Sequence, residues 1–328
     1  MQGANTPESI VTLEACLPAA LRGDATTITK IAVGLSGAGV YRVDAGGRTF
    51  VMKVAREGKP LEPWRGKLRI QRLAAEAGVA PPVIHVDEDR RVVLSAFVAD
   101  RSFPAFYHTP STRDAAIALL GRTVRRIHDI PIPLGAGVLD PREFLGTLWQ
   151  GPLAGFAAPA FVSDAARRVL DEEPTPSDRA PVLSHNDVNP TNLVYDGEHL
   201  VLLDWDTAGP NDPYYDLAAA SVFLRMDEET CRKLLSAYGD DAPAGLPARF
   251  VYDRRVVGVL CGVAFMHLAR QGGHGGATGA ETLESTLSLM DIYQQMRARA
   301  LSVATADGQW AFGLALVKAG ITDPQPPA

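Results

Sequence analysis

The stretch LSHNDVNPTNLVYDGEHLVLLDWDTAGPNDPYYDLA, residues 183–218, sets six aspartates between apolar runs. A chain that only has to bury a core does not crowd carboxylates this way, because each buried charge needs a partner. His185, Asp187 and Asn192 form H-x-D-x-x-x-x-N, and Asp204 follows Asn192 by twelve residues. Short strands are expected here, around a hairpin at YDGEH. An Asn side-chain carbonyl and an Asp carboxylate on adjacent turns are the hard oxygen ligands that a cation such as Mg²⁺ prefers, and they can bridge it to nucleotide phosphates. Asp187 is then free to orient an attacking hydroxyl and accept its proton. That division of labour belongs to phosphoryl transfer, where positioning and charge neutralisation carry most of the rate. The competing reading makes Asp187, Asn192 and Asp204 plain turn residues.

Working outward, the 328 residues suffice for one bilobal domain or two ordinary ones. A content of 46% hydrophobic and 21% charged residues fits a soluble globular protein with a sizeable core. The net charge of −6, from 32 basic and 38 acidic residues, argues against general nucleic-acid binding and permits a cationic substrate. Cys16, Cys231 and Cys261 lack the paired spacing of a zinc site or disulfide framework, so buried thiols in a reducing cytoplasm are expected. The first 21 residues carry no basic leader and two glutamates, unlike a signal peptide. No run has the ~18 apolar residues of a membrane span. Cytoplasmic location is expected, and the sequence does not speak to oligomeric state.

Thr6–Ser9 reads as a helix start. From about Ile28 strand texture takes over, broken at GLSGAG (34–39) and at a hairpin signal, AGG. A helix over about Glu62–Ala77 ends at Gly78, and two strands joined by an acidic turn follow. This predicts a five-stranded antiparallel sheet with one crossing helix, closing near Val98. Beyond Asp100 the chain reads as mainly helical, with helices over Ser111–Ile130, Tyr214–Leu224, Asp227–Tyr238, Pro247–Arg270 and Glu281–Ala300. Asp171–Pro181 and Gln271–Gly279 read as flexible. The expected architecture is therefore α+β and two-lobed: a small N-lobe, residues 1–98, a larger helical C-lobe, residues 99–328, and a ligand cleft near residues 95–100.

The spaced blocks HNDVNPTN and LLDWDTAGPNDPYYDL resemble the kinase-like small-molecule phosphotransferases, the aminoglycoside phosphotransferase and choline/ethanolamine kinase group, and the resemblance runs from about Ile28 to Leu224. It implies a protein-kinase-like fold, ATP and Mg²⁺ as cofactors, and a hydroxylated small molecule as acceptor. It also implies that Asp187 is the catalytic base, that Asn192 and Asp204 are metal ligands, and that Asp216 is a buried brace for the catalytic loop. Lys53, closing the strand FVMKVA, resembles the lysine that pairs the α- and β-phosphates, with an edge-strand lysine in solvent as the bland alternative. Ser36 and Gly37 in GLSGAG would cradle phosphates, although a lone glycine-rich turn is more often a plain hairpin. Ser95, Phe97 and Val98 fall where the hinge would meet adenine. HND with DWD looks closer to the choline-kinase branch than to the His-Gly-Asp of aminoglycoside enzymes.

The sequence also departs from this pattern. Where the group has a helix glutamate to pair the strand lysine, this chain has Lys67, and neither Glu62 nor Glu76 has the right spacing. Only twelve residues separate Asp204 from Asp216, too few for a phosphorylatable activation loop, which disfavours a protein kinase. His185 reads as a core histidine, Asp212 as a helix cap, and His128 as a cation at a helix end. Asp206 is open between metal ligand, substrate contact and solvated turn. The acceptor is choline- or amino-alcohol-like in the first reading and an aminoglycoside or other antibiotic in the second. A silent nucleotide-binding module is the third, because the lysine's partner is not identified. Aromatics after Tyr214 would cage a quaternary ammonium, while acids such as Asp253, Glu281 and Asp291 would suit an aminoglycoside.

Overall fold

Alternation along two strands sets the architecture. The computed structural model describes residues 13–31, 39–55, 60–138, 140–240 and 245–322. In β2 (Gly39–Ala45) and β3 (Arg48–Val54), Tyr41, Val43, Phe50 and Met52 point to one face and pack on Leu13, Cys16 and Leu17. The intervening residues of β3, Val51 and Lys53, therefore face the other side. The two strands join through Gly46 and Gly47, both with positive φ (56° and 71°), the two-residue turn that matches strand twist. With β1 (Thr27–Lys30), β4 (Val83–Asp87) and β5 (Val92–Ala96) they form an antiparallel sheet in the order β1-β2-β3-β5-β4. The expected five-stranded sheet is present.

Helix α1 (Leu61–Glu76) crosses the second face, burying Trp64 and Leu68 against Val93, the register partner of Lys53. Gly78, at φ 68°, ends it: the Gly78 N–H bonds Ala75 O and the Val79 N–H bonds Ala74 O. From Phe103 the chain is helical, through α2 (Phe103–His108), α3 (Arg113–His128), α4 (Pro141–Gln150) and α5 (Ala160–Asp171). Two short strand pairs interrupt it: β6 (Val182–Ser184) with β9 (Gly209–Asn211), and β7 (Leu193–Tyr195) with β8 (Leu200–Leu202). The helices α6 (Pro213–Phe223), α7 (Glu228–Tyr238), α8 (Ala248–Gln271), α9 (Leu289–Arg297) and α10 (Ala306–Ile321) complete the C-terminal part. All of α6 is buried. Asp212 caps it, accepting the Tyr214 N–H, as expected.

One predicted helix is shorter than expected. Residues 281–288 are turns, because the Glu281 carboxylate accepts the N–H groups of Thr278 and Gly279 instead of lying in a helix. A Ser288–Asp291 capping box then starts α9. The two stretches read as flexible are tied at points: Thr175 O accepts Arg249 Nη1, and the Ala277 N–H bonds Ala157 O. The helix start at Thr6–Ser9 lies outside the described residues. Among the described residues, no helix is long and apolar enough to cross a membrane. The three cysteines are free thiols, with Cys16 and Cys231 buried.

Candidate active site

β6 delivers His185 and Asn186 into a tight turn whose geometry is fixed from below by Asp216 on α6. The Asp216 carboxylate is buried and accepts the N–H groups of His185 (2.7 Å) and Asn186 (2.8 Å). It also accepts from His128 Nε2 (3.1 Å), whose other ring nitrogen meets the Tyr238 hydroxyl at 2.9 Å. An acceptor-only carboxylate assigns the proton to His128 Nε2. Burial pushes the Asp216 pKa up, but the His128 bond and the neighbouring His128 and His185 rings outweigh it and leave the group below the usual carboxylate value. His128 is thus part of the brace, not a surface cation at a helix end.

Asn186 has φ 64°, a conformation in which Gly and Asn are at least cost. Unlike glycine, its amide ties the turn to the following one: Nδ2 donates to Thr207 O at 3.1 Å, and Oδ1 accepts from Asn211 Nδ2 at 2.8 Å. His185 is fully buried, bonds Leu203 O through Nε2 (2.9 Å), and meets the Trp205 ring edge-on at 4.7 Å. The core reading of His185 fits this placement.

Asp187 follows, half-buried. Its two oxygens accept from Asn189 Nδ2 (2.7 Å) and Asn192 Nδ2 (2.8 Å). Burial raises its pKa above the ordinary aspartate value, against the lowering effect of His185 and the two amides. With its amide hydrogens spent on Asp187, Asn192 has its side-chain carbonyl oxygen left to offer a cation. Leu203 N–H to Asn192 O (2.9 Å) sets Asn192 beside Asp204. Tyr215 on α6 and Cys261 on α8 lie within electrostatic range of Asp187. Burial, reinforced by that charge, pushes the Cys261 thiol up to about 12.

Asp204 stands at φ 58° and opens the short turn Trp205–Thr207. From the sheet, Lys53 Nζ reaches Asp204 at 2.7 Å and Asp206 at 3.1 Å. Burial lowers the lysine's pKa, but the Asp206 and Asp204 charges more than offset it, so the ammonium stays protonated. The lysine's partners are these two aspartates. Glu62 is instead paired with Arg65 at 2.8 Å. Two carboxylates converging on one positive charge, next to an amide carbonyl, are a donor set that fits Mg²⁺. Among the described residues no three His, Cys, Asp or Glu side chains would hold a metal. Mg²⁺ takes one or two carboxylates and completes its shell with phosphate and water.

Ser95 is buried in β5, its hydroxyl 3.4 Å from Gln71 Nε2. Phe97 is exposed and its N–H is spent on Thr49 O (3.3 Å), so Val98 is the first of the hinge residues whose N–H is not in the sheet ladder. Ser36 and Gly37 lie outside the described residues. Lys53, Asp187, Asn192, Asp204 and Asp206 are thus connected through direct or adjacent contacts, whereas Ser95 and Phe97 stand apart at the C-terminal end of the inner strand β5. Asn189 is the functional residue that sequence reasoning missed, although it sits in the motif two residues after Asp187. A groove lined by Arg142, Glu143 and Thr147 on α4 contains none of these residues.

A five-stranded lobe over a helical one, with a lysine reaching from the sheet to an Asp-x-Asp turn, is the architecture of kinase-like phosphotransferases. The model of the phosphotransferase enzyme family APH matches residues 27–250, and the chain belongs to that family. Protein LicA of Haemophilus influenzae is 33% identical over 54 residues, 16% of this chain and 20% of LicA, so the chain spans about a fifth of that relative's length. A choline/ethanolamine kinase family protein from Mesorhizobium loti superposes with TM-score 0.56 at 20% identity, covering 93% of this chain and 95% of the other. LicA in complex with AMP gives 0.56 at 14%, covering 89% and 94%. The macrolide 2'-phosphotransferase MphH from Brachybacterium faecium gives 0.57 at 18%, covering 77% and 89%.

Proposed function

We propose that this phosphotransferase moves the γ-phosphoryl group of ATP, with Mg²⁺, onto a hydroxyl of a small molecule. An amino alcohol of the choline type is the first acceptor class, and an aminoglycoside or other antibiotic the second. One observation carries the reading: the Asp187 carboxylate is held by two asparagine amides beside a turn where Lys53, Asp204 and Asp206 meet. Asp187 accepts the proton of the attacking hydroxyl. Asn189 and Asn192 aim its oxygens, and the Asp216 brace keeps the turn from following the acceptor. Lys53 turns from the aspartates to the nucleotide phosphates, fixing their geometry as a compact point charge. Asn192 and Asp204 would hold Mg²⁺, with Asp206 as a further oxygen donor. When bound, that ion neutralises the phosphate charge that builds up in transfer.

Ser36 and Gly37 are assigned to the nucleotide phosphates from the sequence alone, and Val98 meets adenine beside Ser95 and Phe97. We place the lobe boundary between Val98 and Ala99 and the working compartment in the cytoplasm. The acceptor enters between the catalytic turn and helices α6 and α8, where Tyr215 and Cys261 lie within electrostatic range of Asp187. The amino-alcohol class is favoured by the likeness to the choline/ethanolamine kinase family protein, while the net charge of −6 suits a cationic acceptor of either class. An ATP-coupled screen over amino alcohols, sugars, aminoglycosides and macrolides, with and without Mg²⁺, tests this. Turnover of an amino alcohol that needs Mg²⁺ is the expected result. Turnover of antibiotics alone would move the assignment to the second class, and ATP binding with no turnover would leave a silent module.

A further inference from the structure

Besides Lys53, a second lysine from the same lobe reaches the Asp204–Ala208 turn. Lys67, on the face of α1 that looks toward the C-terminal part, donates from Nζ to Ala208 O at 2.5 Å, across 141 residues of sequence. It lines one small cavity with Lys53, Gln71, Trp205 and Asp206. The acceptor carbonyl is fully buried and immediately precedes β9, which pairs with the strand feeding Asp187. A charged donor on a buried carbonyl makes one of the stronger neutral-to-ionic bonds available to a protein. The chain thus fastens this turn twice from above, and the two fasteners differ in kind. Lys53 holds side chains that a metal–nucleotide complex would need, and it must release them. Lys67 holds backbone that no ligand competes for.

We infer that Lys67 is a positioning residue that latches α1 to the Asp204–Ala208 turn, keeping Asp204 and Asp206 in place when Lys53 swings to the phosphates. The inference rests on the phosphotransferase reading of the same turn. Its consequence is a split between nucleotide binding and the chemical step. The Asp187 carboxylate is aimed by Asn189 and Asn192 and its turn is braced by Asp216, so loosening the 204–208 turn, which meets that turn through Asn186 and Thr207, weakens Mg–ATP binding more than it disturbs the base.

The test compares wild type with Lys67→Met, Lys67→Gln and Lys67→Arg. In metal-free protein, hydrogen exchange of the peptide covering Trp205–Gly209 is expected to speed up by roughly 10-fold or more in the Met and Gln variants, the scale of losing one charge-assisted bond. Arg, which keeps a donor and a charge, should restore most of the protection. In steady state, KM for Mg–ATP should rise by roughly 10-fold while kcat at saturation stays within about 3-fold, again with rescue by Arg. Exchange and KM at wild-type values in folded Met and Gln variants would overturn the latch. An equal fall in kcat with unchanged KM would overturn it too. A wild type that neither binds nor uses Mg–ATP would instead sink the functional reading, and the exchange comparison would still decide the latch.

Discussion

Asp187 has two amide donors, and their removal is not symmetrical. Asn192 serves Asp187 through its side chain and the Leu203 N–H, next to Asp204, through its backbone carbonyl, whereas Asn189 touches Asp187 and closes its own turn through Thr191. An amide hydrogen on an ionised carboxylate stabilises the charged form and lowers its pKa. Asn189→Ala should therefore raise the Asp187 pKa further, since burial already holds it above the ordinary value. The base works ionised, so activity falls as pH drops through that pKa. The acid limb of kcat/KM should begin at higher pH in Asn189→Ala than in wild type, measured with the best acceptor found. An acid limb that stays where it was would remove Asn189 from the site. Asn186 makes the related point: neither its left-handed turn conformation nor its bonds to Thr207 and Asn211 were read from the sequence.

Between elements, the closest packing is that of α8 on α10, where glycines face each other. A Cβ on Gly258 would come within 2.4 Å of Gly320 Cα, and one on Gly262 within 2.6 Å of Gly313 O. Backbone, not a side-chain tip, blocks the way, so the helices must separate. Gly258→Ala should cost about 1–3 kcal/mol as an overpacking change despite alanine's better helix propensity. Chemical denaturation would show it, and an equally stable or more stable variant would contradict this account of the packing. Such glycines also explain why α10 was not read from the sequence: Gly313 and Gly320, seven residues apart in an apolar run, signal no helix by themselves. The five strands were legible because Tyr41, Val43, Phe50 and Met52 alternate so regularly. The site motif was legible because its residues fall within one short stretch. The partners of Lys53 were not, since pairing across 151 residues leaves no local trace. Glu281 lies in a window of good helical periodicity and was misread, because its side chain caps a turn that propensity does not see.

At the scale of the molecule, the fold keeps one strongly perturbed acid away from the catalytic turn. Asp253 on α8 is almost fully buried, and desolvation lifts its pKa to about 7 despite Arg249 at 3.0 Å, with Asp212 adding to the rise. Its folded value lies above its unfolded one, so the native state binds the extra proton between about pH 4 and pH 7. Stability should fall as pH rises through that window, by up to ~1.4 kcal/mol per unit, and level off above it. Asp253→Asn should flatten the slope in urea titrations at about pH 5 and about pH 8. A slope unchanged by the substitution would mean that Arg249 keeps the group ionised in the folded protein. The whole account, however, turns on the transfer of a proton to Asp187 from a bound alcohol. Its most direct test is Asp187→Asn, which preserves shape and an acceptor oxygen for one of the two asparagines while removing the basic carboxylate. Product formation and Mg–ATP binding would be measured on the same preparation, the first with the acceptor found by screening and the second by calorimetry. The account predicts turnover lower by roughly 10²–10⁴ with nucleotide affinity kept near that of wild type. Turnover close to wild type in that variant would contradict it.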